Sequence, residues 1–170
     1  GGSFAKGTLM HGEEYDIDIF IRFGKNYDNL SDYLSKIVNK SFDKGYKIGR
    51  IHGSRDYFKV WKEKRIVFEI IPVLKIKHPR EEKNVTDLSY FHVNYVKRKT
   101  RRDKINREIR IAKKFCKSNG FYGAESYIQG FSGYGVECLI IHYRSFEKFV
   151  KEMIKVTKYI LCSSKKPNKE

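Results

Sequence analysis

Cysteine is scarce in this 170-residue chain, and its spacing argues against two common kinds of small protein. The three cysteines are odd in number, lie far apart and form no Cys-x-x-Cys pair, so the sequence predicts neither a disulfide framework nor a structural zinc site. Long apolar runs are also missing, and no secretory signal opens the chain. These absences predict a soluble, cytoplasmic protein without a membrane partner, in which Cys116, Cys138 and Cys162 are reduced core residues.

Acidic residues are in deficit. The chain has 20 Asp and Glu against 36 Lys and Arg, which gives a formal net charge of +16 at pH 7. A potential of that sign attracts phosphate backbones, although a lysine-rich proteome would produce the same bias. The basic residues also cluster, and the densest run is Lys97-Arg98-Lys99-Thr100-Arg101-Arg102-Asp103-Lys104. This clustering favours nucleic acid as the partner.

Hydrophobic residues make up 40% of the chain, enough for one good core or two small ones. After an early strand, the pattern predicts a helix over 28–43 and strands over 46–51, 57–61 and 65–76. The charged stretch 77–85 contains a proline and breaks the pattern, and the residues beyond it show helical spacing. We therefore expect an α+β protein with a small mixed-sheet domain at 1–80, an all-helical domain at 81–162 and a disordered basic tail at 163–170.

Apolar stripes support the predicted helices. The stripe of the first helix is Leu30, Leu34, Ile37 and Val38. That of the next, which Asn119-Gly120 would end, is Ile105, Ile109, Ala112, Phe115 and Cys116. Another helix would end near Tyr143, and Ser145 would cap the last one, whose stripe of Phe146, Phe149, Val150, Met153 and Ile154 is predicted to be core.

Three carboxylates carry the chemical signal. In Asp16-Ile17-Asp18-Ile19-Phe20-Ile21, a strand would project both acids from one face while the isoleucines enter the core. Such a pair is often only the solvated face of a strand. A third acid, Glu69, lies in the β-branched run 66–74, where a buried carboxylate needs a cationic partner. That partner is either a lysine or arginine, or a divalent cation shared with both aspartates.

The segment Gly1-Gly2-Ser3 favours the second interpretation of the acids. Paired glycines let a backbone approach a phosphate closely, and a serine hydroxyl can donate a hydrogen bond to it, although a flexible linker has the same composition. Mg²⁺ suits such a site because it takes oxygen ligands and shares its coordination sphere with substrate phosphates. Together these features are typical of a metal-dependent nucleotidyltransferase.

The order of these motifs resembles the class I, archaeal-type CCA-adding tRNA nucleotidyltransferases, within the polymerase β-like nucleotidyltransferase superfamily. The first unit carries the resemblance in Gly1-Gly2-Ser3-Phe4-Ala5-Lys6-Gly7-Thr8, Asp16-Ile17-Asp18-Ile19-Phe20 and Glu69-Ile70-Ile71-Pro72. The second unit carries it in Phe91-His92, Ala112-Lys113-Lys114-Phe115, Asn119-Gly120-Phe121-Tyr122-Gly123-Ala124-Glu125 and Gly130-Phe131-Ser132-Gly133-Tyr134, followed by Glu137. The second set is the more specific, because the superfamily at large shares only the carboxylates. The resemblance implies a polymerase β-like palm domain followed by a helical domain that faces the nucleotide.

The resemblance also implies roles for individual residues. Asp16, Asp18 and Glu69 would be the catalytic residues and the Mg²⁺ ligands, although the family commonly has Asp at the third position. The nucleotide triphosphate would be bound by Gly2, Ser3, Lys6, Thr8, His92, Lys113 and Tyr122. Without the resemblance, the last three fit equally well as a structural histidine, a solvated helix lysine and a core tyrosine.

The implied reaction is in-line transfer of CMP and AMP from CTP and ATP to the 3′ end of tRNA, with two divalent ions and release of pyrophosphate. Family members normally have sequence before the Gly-Gly-Ser turn and further domains that hold the tRNA. We expect such domains or a partner chain to hold the tRNA here. Two alternatives stay open: another RNA-tailing or oligoadenylate synthetase-like nucleotidyltransferase, and a catalytically silent basic RNA-binding module.

Overall fold

The structure is a computed structural model that describes residues 1–10, 12, 15–63, 66–100, 103–125 and 127–155. Its strands in these ranges are β1 (Tyr15–Phe23), β2 (Lys47–Ile51), β3 (Tyr57–Glu63) and β4 (Ile66–Leu74). Its helices are α1 (Gly2–Lys6), α2 (Leu30–Ser41), α3 (Ser89–Lys99), α4 (Asp103–Ser118), α5 (Gly133–Tyr143) and α6 (Phe146–Lys155), with short 3₁₀ turns at Pro79–Glu81 and Val85–Leu88. The expected α+β fold with a mixed sheet is confirmed. The predicted tail at 163–170, Cys162 and part of the basic run lie outside the described residues.

The sheet has the strand order β1-β4-β3-β2. β4 runs parallel to β1 and antiparallel to β3, and β3 runs antiparallel to β2. β4 is therefore flanked by a strand on each edge. This position explains why its sequence is almost continuously apolar and why all five residues from Ile70 to Leu74 are buried. The only charged residue that β4 carries is Glu69.

A first hydrophobic core lies between α2 and one face of the sheet. Leu34 and Val38 of α2 pack there with Phe58, Val60 and Ile70 of the strands. Asn29 begins the helix, because its side chain accepts a hydrogen bond from the backbone N–H of Asp32. Ile37 departs from the prediction: 43% of it is exposed, because it lies toward the edge of the helical face that meets the sheet.

A second core joins α4 and α5. It contains Val96 of α3, Ile109 and Ala112 of α4, and Val136 and Ile140 of α5. The backbone leaves α4 through Gly120, whose φ of 76° lies in the left-handed region, as the predicted helix end requires. Cys116 is a buried free thiol in this core.

The last helix is less buried than the apolar stripe predicts. Phe146 and Phe149 pack against the second core, but Met153 and Ile154 are 41% and 76% exposed. The prediction of a fully buried stripe is therefore wrong for its second half, because only the first turns of α6 pack on the core.

The connection between the two cores is anchored to the sheet. Asp87, at the end of the linking segment, accepts hydrogen bonds from the backbone N–H of Leu74 at 2.7 Å and from Arg55 Nη1 at 2.5 Å. The stretch 77–85 therefore contains ordered turns, while a division into domains at residue 80 stays a prediction. Within the described ranges, no helix is both long enough and apolar enough to span a membrane.

Candidate active site

The strand register brings the predicted carboxylates to one face of the sheet. Asp18 of β1 lies directly beside Glu69 of β4, and Asp16 precedes Asp18 by two residues on the same face. The core residues of β3 and β4 that contact α2 alternate with these positions, so the acids face away from α2. Two separate stretches of the chain thus supply acids to one small area.

Gly2 lies directly against this acidic face. Its φ is +52°, a conformation that glycine adopts easily, and a methyl group built on its Cα would overlap the Asp18 carboxylate. A methyl group on Gly1 would likewise overlap the ring of Phe20. The paired glycines therefore begin the short helix α1 and let the backbone cross the acidic strand at close range. The turn predicted at Gly1-Gly2-Ser3 is thus the first turn of α1.

Electrostatic conditions differ among the three acids. Burial and then the negative charge of Glu69 raise the pKa of Asp18 above its ordinary value of 3.8. Asp16 is exposed. Glu69 forms an ion pair with Lys59, its cross-strand neighbour on β3, with 2.7 Å between Nζ and Oε1. The sequence left two kinds of partner open for Glu69, a basic residue or a divalent cation. The structure shows a basic residue, Lys59, in contact with it.

The donor set fits a hard divalent cation, although the side chains do not surround one. Three carboxylates supply only oxygen ligands, and a cation would relieve the repulsion between Asp18 and Glu69. Among the described residues, no three His, Cys, Asp or Glu side chains form a metal-binding group. Glu69 would have to exchange Lys59 for the cation.

A second cluster of charges lies next to the acidic face and is buried. Glu137 of α5 accepts hydrogen bonds from Lys113 Nζ of α4, Lys6 Nζ of α1 and the Thr8 hydroxyl, each at 2.6 Å. Lys113 Nζ also donates to the Thr8 hydroxyl at 3.1 Å and to the Thr8 carbonyl at 3.5 Å. The side chain of Glu137 is fully buried and that of Lys113 is 2% exposed. We call Lys6, Thr8, Lys113 and Glu137 the lysine–glutamate cluster.

Opposite charges keep this cluster ionised despite burial. Burial raises the pKa of Glu137, but the positive charges of Lys113 and Lys6 outweigh that effect and leave the pKa below its ordinary value of 4.5. Burial lowers the pKa of Lys113 below 10.5, and Glu137 opposes that change. Two lysines share one carboxylate here, so the cluster carries an uncompensated positive charge.

Asp16 of the acidic face and Thr8 and Lys113 of this cluster line one open pocket of about 450 Å³. Five of the predicted site residues line it, namely Ser3, Thr8, Asp16, Lys113 and Tyr122. Lys114, Lys117 and Ser118 of α4 complete one wall. The predicted residues Gly2, Lys6, Asp18, Glu69 and His92 do not line this pocket.

Tyr122 presents a hydroxyl group that stays protonated. Burial and then the negative charge of Glu137 raise its pKa to about 12. A methyl group on Gly133 would lie 2.7 Å from the Tyr122 hydroxyl oxygen, so this glycine allows α5 to start close to the pocket. Tyr122 can therefore act only as a neutral hydrogen-bonding group near neutral pH.

His92 lies near Lys6 of the lysine–glutamate cluster. Its ring stacks on Tyr134 with 3.9 Å between centroids and 16° between planes. Burial and then the charge of Lys6 lower the pKa of His92 below 6.5, so the imidazole is neutral at pH 7. The structure thus places His92 as a neutral ring beside the lysine–glutamate cluster.

Sequence reasoning omitted Glu137 from the site residues. The signal was present, because Glu137 is the one acid in the apolar helix Gly133–Tyr143, as Glu69 is in its strand. The argument that a buried carboxylate needs a cation applies equally to both. Lys114 and Lys117 carried no separate signal beyond their spacing along α4.

Comparison with known proteins shows which families this chain resembles. Residues 107–169 match the family described as tRNA nucleotidyltransferase, second domain. The CCA-adding enzyme of Nanoarchaeum equitans is 42% identical over 157 residues, which cover 91% of this chain and 38% of that protein. The CCA-adding enzyme of Sulfurisphaera tokodaii is 34% identical over 174 residues, covering 99% of this chain and 40% of that protein. The chain thus spans about two fifths of the length of these curated relatives.

The fold has a counterpart among solved structures. A cytoplasmic RNA terminal U-transferase matches 84% of this chain and 38% of its own with a TM-score of 0.52, at 11% identity. That likeness concerns the fold alone, and it is the fold of a nucleotidyltransferase. The resemblance noted in the sequence is confirmed over nearly the whole chain: it is a homologue of the archaeal CCA-adding enzymes and corresponds to about two fifths of their length.

Proposed function

We propose that this chain is the catalytic part of a nucleotidyltransferase that adds CMP and AMP from CTP and ATP to the 3′ end of tRNA, with release of pyrophosphate. One observation carries the proposal: Asp16 of the acidic sheet face and Lys113 of the buried, positively charged cluster line the same pocket. A nucleotide triphosphate bound with a divalent cation is a ligand that offers charge of both signs. The description of the matched family, tRNA nucleotidyltransferase, second domain, supports tRNA as the acceptor.

Asp16, Asp18 and Glu69 would hold Mg²⁺, since their oxygen atoms are the ligands that this ion prefers. When bound, a divalent cation neutralises charge on the triphosphate and lowers the pKa of the RNA 3′-hydroxyl. The three carboxylates serve as ligands in this proposal and not as proton shuttles. To bind the ion, Glu69 would exchange its ion pair with Lys59 for the cation.

Lys113 can bind a phosphate oxygen at small cost. An ammonium group has three donors, and those of Lys113 already point to Glu137, the Thr8 hydroxyl and the Thr8 carbonyl. The third of these bonds, at 3.5 Å, is the weakest, so Lys113 can exchange it for a phosphate oxygen while it stays fixed by Glu137. Glu137 is then a positioning residue that holds both lysines by hydrogen bonds and orients Lys113.

The remaining wall of the pocket supplies neutral and mobile donors. Ser3 and Tyr122 contribute hydroxyl groups, and Lys114 and Lys117 contribute exposed ammonium groups at the rim. Such a set binds a polyanion by several charge-assisted and neutral hydrogen bonds. Orientation of the triphosphate against the acidic face follows from these contacts.

The test is nucleotide incorporation by the chain with Mg²⁺, labelled CTP or ATP, and tRNA that lacks its CCA end. We expect CMP and AMP incorporation that a chelator abolishes and that Asp18→Asn lowers by at least about 10²-fold. Asp28→Asn is the matched control, because Asp28 is an exposed acid outside the site. Full activity of Asp18→Asn would remove the proposed site.

A silent RNA-binding module is the second candidate, and the Lys59–Glu69 ion pair favours it, since that pair satisfies Glu69 without a metal. Titration of Mg²⁺-ATP into the wild type and Asp18→Ala separates the two. Equal binding by both proteins, with no incorporation by either, would support the silent module.

A further inference from the structure

One basic surface has no part in the site described above. A groove of about 800 Å³ lies where the junction of α3 and α4 meets the junction of α5 and α6. We call it the junction groove, and its lining residues include Lys99, Lys104, Glu108, Arg144, Glu147 and Lys148. The densest basic run of the sequence supplies Lys99 and Lys104, and residues more than 35 positions later supply the other two cations.

The acids of the groove already have other partners. Glu108 Oε2 accepts a hydrogen bond from the backbone N–H of Phe146 at 2.8 Å and so holds the start of α6. Glu147 pairs with Lys151, with 2.5 Å between Oε1 and Nζ. Between side chains that the structure describes, no ion pair includes any of the four lining cations. The groove thus presents four exposed cations without ion-pair partners among the described side chains, and they outnumber its two acids.

Helix stability accounts for Lys99 and Arg144, which lie at the C-terminal ends of α3 and α5, but not for the other two cations. Lys104 and Lys148 lie in the first turns of α4 and α6, where the helix dipole disfavours positive charge. Both side chains are exposed, so packing does not explain them either. An anionic partner would turn this unfavourable arrangement into a favourable one.

The groove is separate from the candidate active site. Lys104 and Lys113 are nine residues apart on α4, which is two and a half helical turns, so their side chains leave opposite faces of the helix. The axial separation is about 14 Å. A molecule in the groove therefore contacts the protein away from the reacting end of an acceptor in the pocket.

We propose that the junction groove binds the phosphate backbone of the acceptor RNA, in its base-paired stem and several nucleotides from the 3′ end. This inference rests on the proposed function for the identity of the RNA. Phosphate contacts need only flexible cations around an open groove. A protein partner would need buried aromatic or aliphatic anchors, whereas Ile105 is the only apolar residue among the described residues that line the groove.

The experiment measures binding of the full chain to labelled tRNA that lacks its CCA end, at several salt concentrations. The test variant is Lys104→Ala/Arg144→Ala. The matched control is Lys40→Ala/Lys44→Ala, which removes the same charge from an exposed surface beside α2. We expect the slope of log K against log salt concentration to decrease in magnitude by about 2 in the test variant. The control should change this slope by less than half as much.

Equal changes in the two double variants would show that only net charge matters and would overturn the proposal, as would no change in the test variant. Mg²⁺-ATP binding and the melting temperature are measured in parallel, and both should equal those of the wild type. If nucleotide incorporation is absent but the slope changes as expected, the proposed reaction fails and the RNA groove stands. If incorporation is present and the slope does not change, the groove fails alone.

Discussion

The acidic sheet face and the lysine–glutamate cluster are neighbouring groups of charge with opposite imbalances. On the sheet face three acids have one lysine, Lys59, and the acids are partly exposed. In the cluster two lysines share one acid, Glu137, and all of them are nearly or fully buried. Each group lacks charge of the sign that the other has in excess. This opposite imbalance is what the proposed binding of a nucleotide triphosphate with a divalent cation requires.

The pKa directions express the same contrast. The pKa of Asp18 is raised by burial and by Glu69, so negative charge is unfavourable there without a cation. The pKa of Glu137 is lowered, because Lys113 and Lys6 outweigh its burial. Folding therefore favours the ionised form of Glu137 near neutral pH, whereas it disfavours the ionised form of Asp18.

Removal of the cluster's only acid should have the largest effect. Glu137→Gln leaves two buried lysines without a counter-charge, and we expect a loss of about 3–5 kcal/mol in the free energy of unfolding. For a chain of this size the melting temperature would fall by roughly 10 °C. In the surviving folded protein, the KM for CTP should rise about tenfold with a smaller change in kcat, because Lys113 is no longer aimed at the triphosphate.

Asp87→Asn is the control for Glu137→Gln. Asp87 is also a fully buried acid and pairs with Arg55, but it lies at the end of β4 and outside the pocket. It should destabilise the chain without raising the KM for CTP. A rise of the KM in both variants to the same extent would show that Glu137 acts only through stability. Glu137→Asp should restore part of the wild-type KM.

A substitution at Gly2 tests the acidic sheet face, the other member of the comparison. Gly2→Ala would force the Asp18 carboxylate to move, and we expect incorporation to fall by about 10- to 100-fold while RNA binding is kept. Gly24→Ala is the control, because a methyl group there meets only the ring of Tyr27 at 3.9 Å. Incorporation by Gly2→Ala at the wild-type rate would show that Asp18 need not keep its position.

Acid should weaken the cluster selectively. The pKa of Glu137 in the folded chain lies below its ordinary value of 4.5, so its contribution to stability is complete above pH 4.5 and is lost as the pH falls through the folded-state pKa. Urea unfolding from pH 7 to pH 3 should show this loss in the wild type and a smaller one in Glu137→Gln. Some loss should persist in the variant, because the pKa of Asp87 is also lowered. Parallel pH curves for the two proteins would contradict the assignment.

The smallest effect is expected for the lysine on the sheet face. Lys59→Met removes the competitor for Glu69 while it keeps most of the apolar stem. Because a partly exposed ion pair contributes less than about 1 kcal/mol, the Mg²⁺ concentration for half-maximal incorporation should fall by less than about fivefold. Lys62→Met, an exposed lysine on the same strand, is the control. A higher Mg²⁺ requirement in Lys59→Met would mean that Lys59 assists the site.

Local patterns in the sequence predicted much of this architecture. Alternation placed Asp16 and Asp18 on one face, and turn and capping residues located the ends of α2 and α4 within a few positions. The exposure of Ile37 and Ile154 was not predictable in this way, because periodicity shows which residues share a face but not how far the neighbouring element extends.

The sequence also did not identify which basic residues pair with the buried acids. The requirement that Glu69 have a cationic partner follows from its apolar strand, but the chain offers 36 lysines and arginines. Only the β3–β4 register selects Lys59. Lys6 and Glu137 are 131 residues apart, and no local pattern relates positions at that separation. The same reasoning would have flagged Glu137 as a buried acid without naming its lysines.

The separation of 131 residues between Lys6 and Glu137 also determines when the pocket can form during synthesis. Chains are made at about 5–20 residues per second, so α1 leaves the ribosome on the order of ten seconds before the glutamate that will neutralise it. The sheet can fold during this interval, whereas Lys6 and Thr8 have no acceptor until α5 has emerged. Nucleotide-binding competence should therefore arise late and abruptly, and nascent chains stalled before α5 should bind no triphosphate.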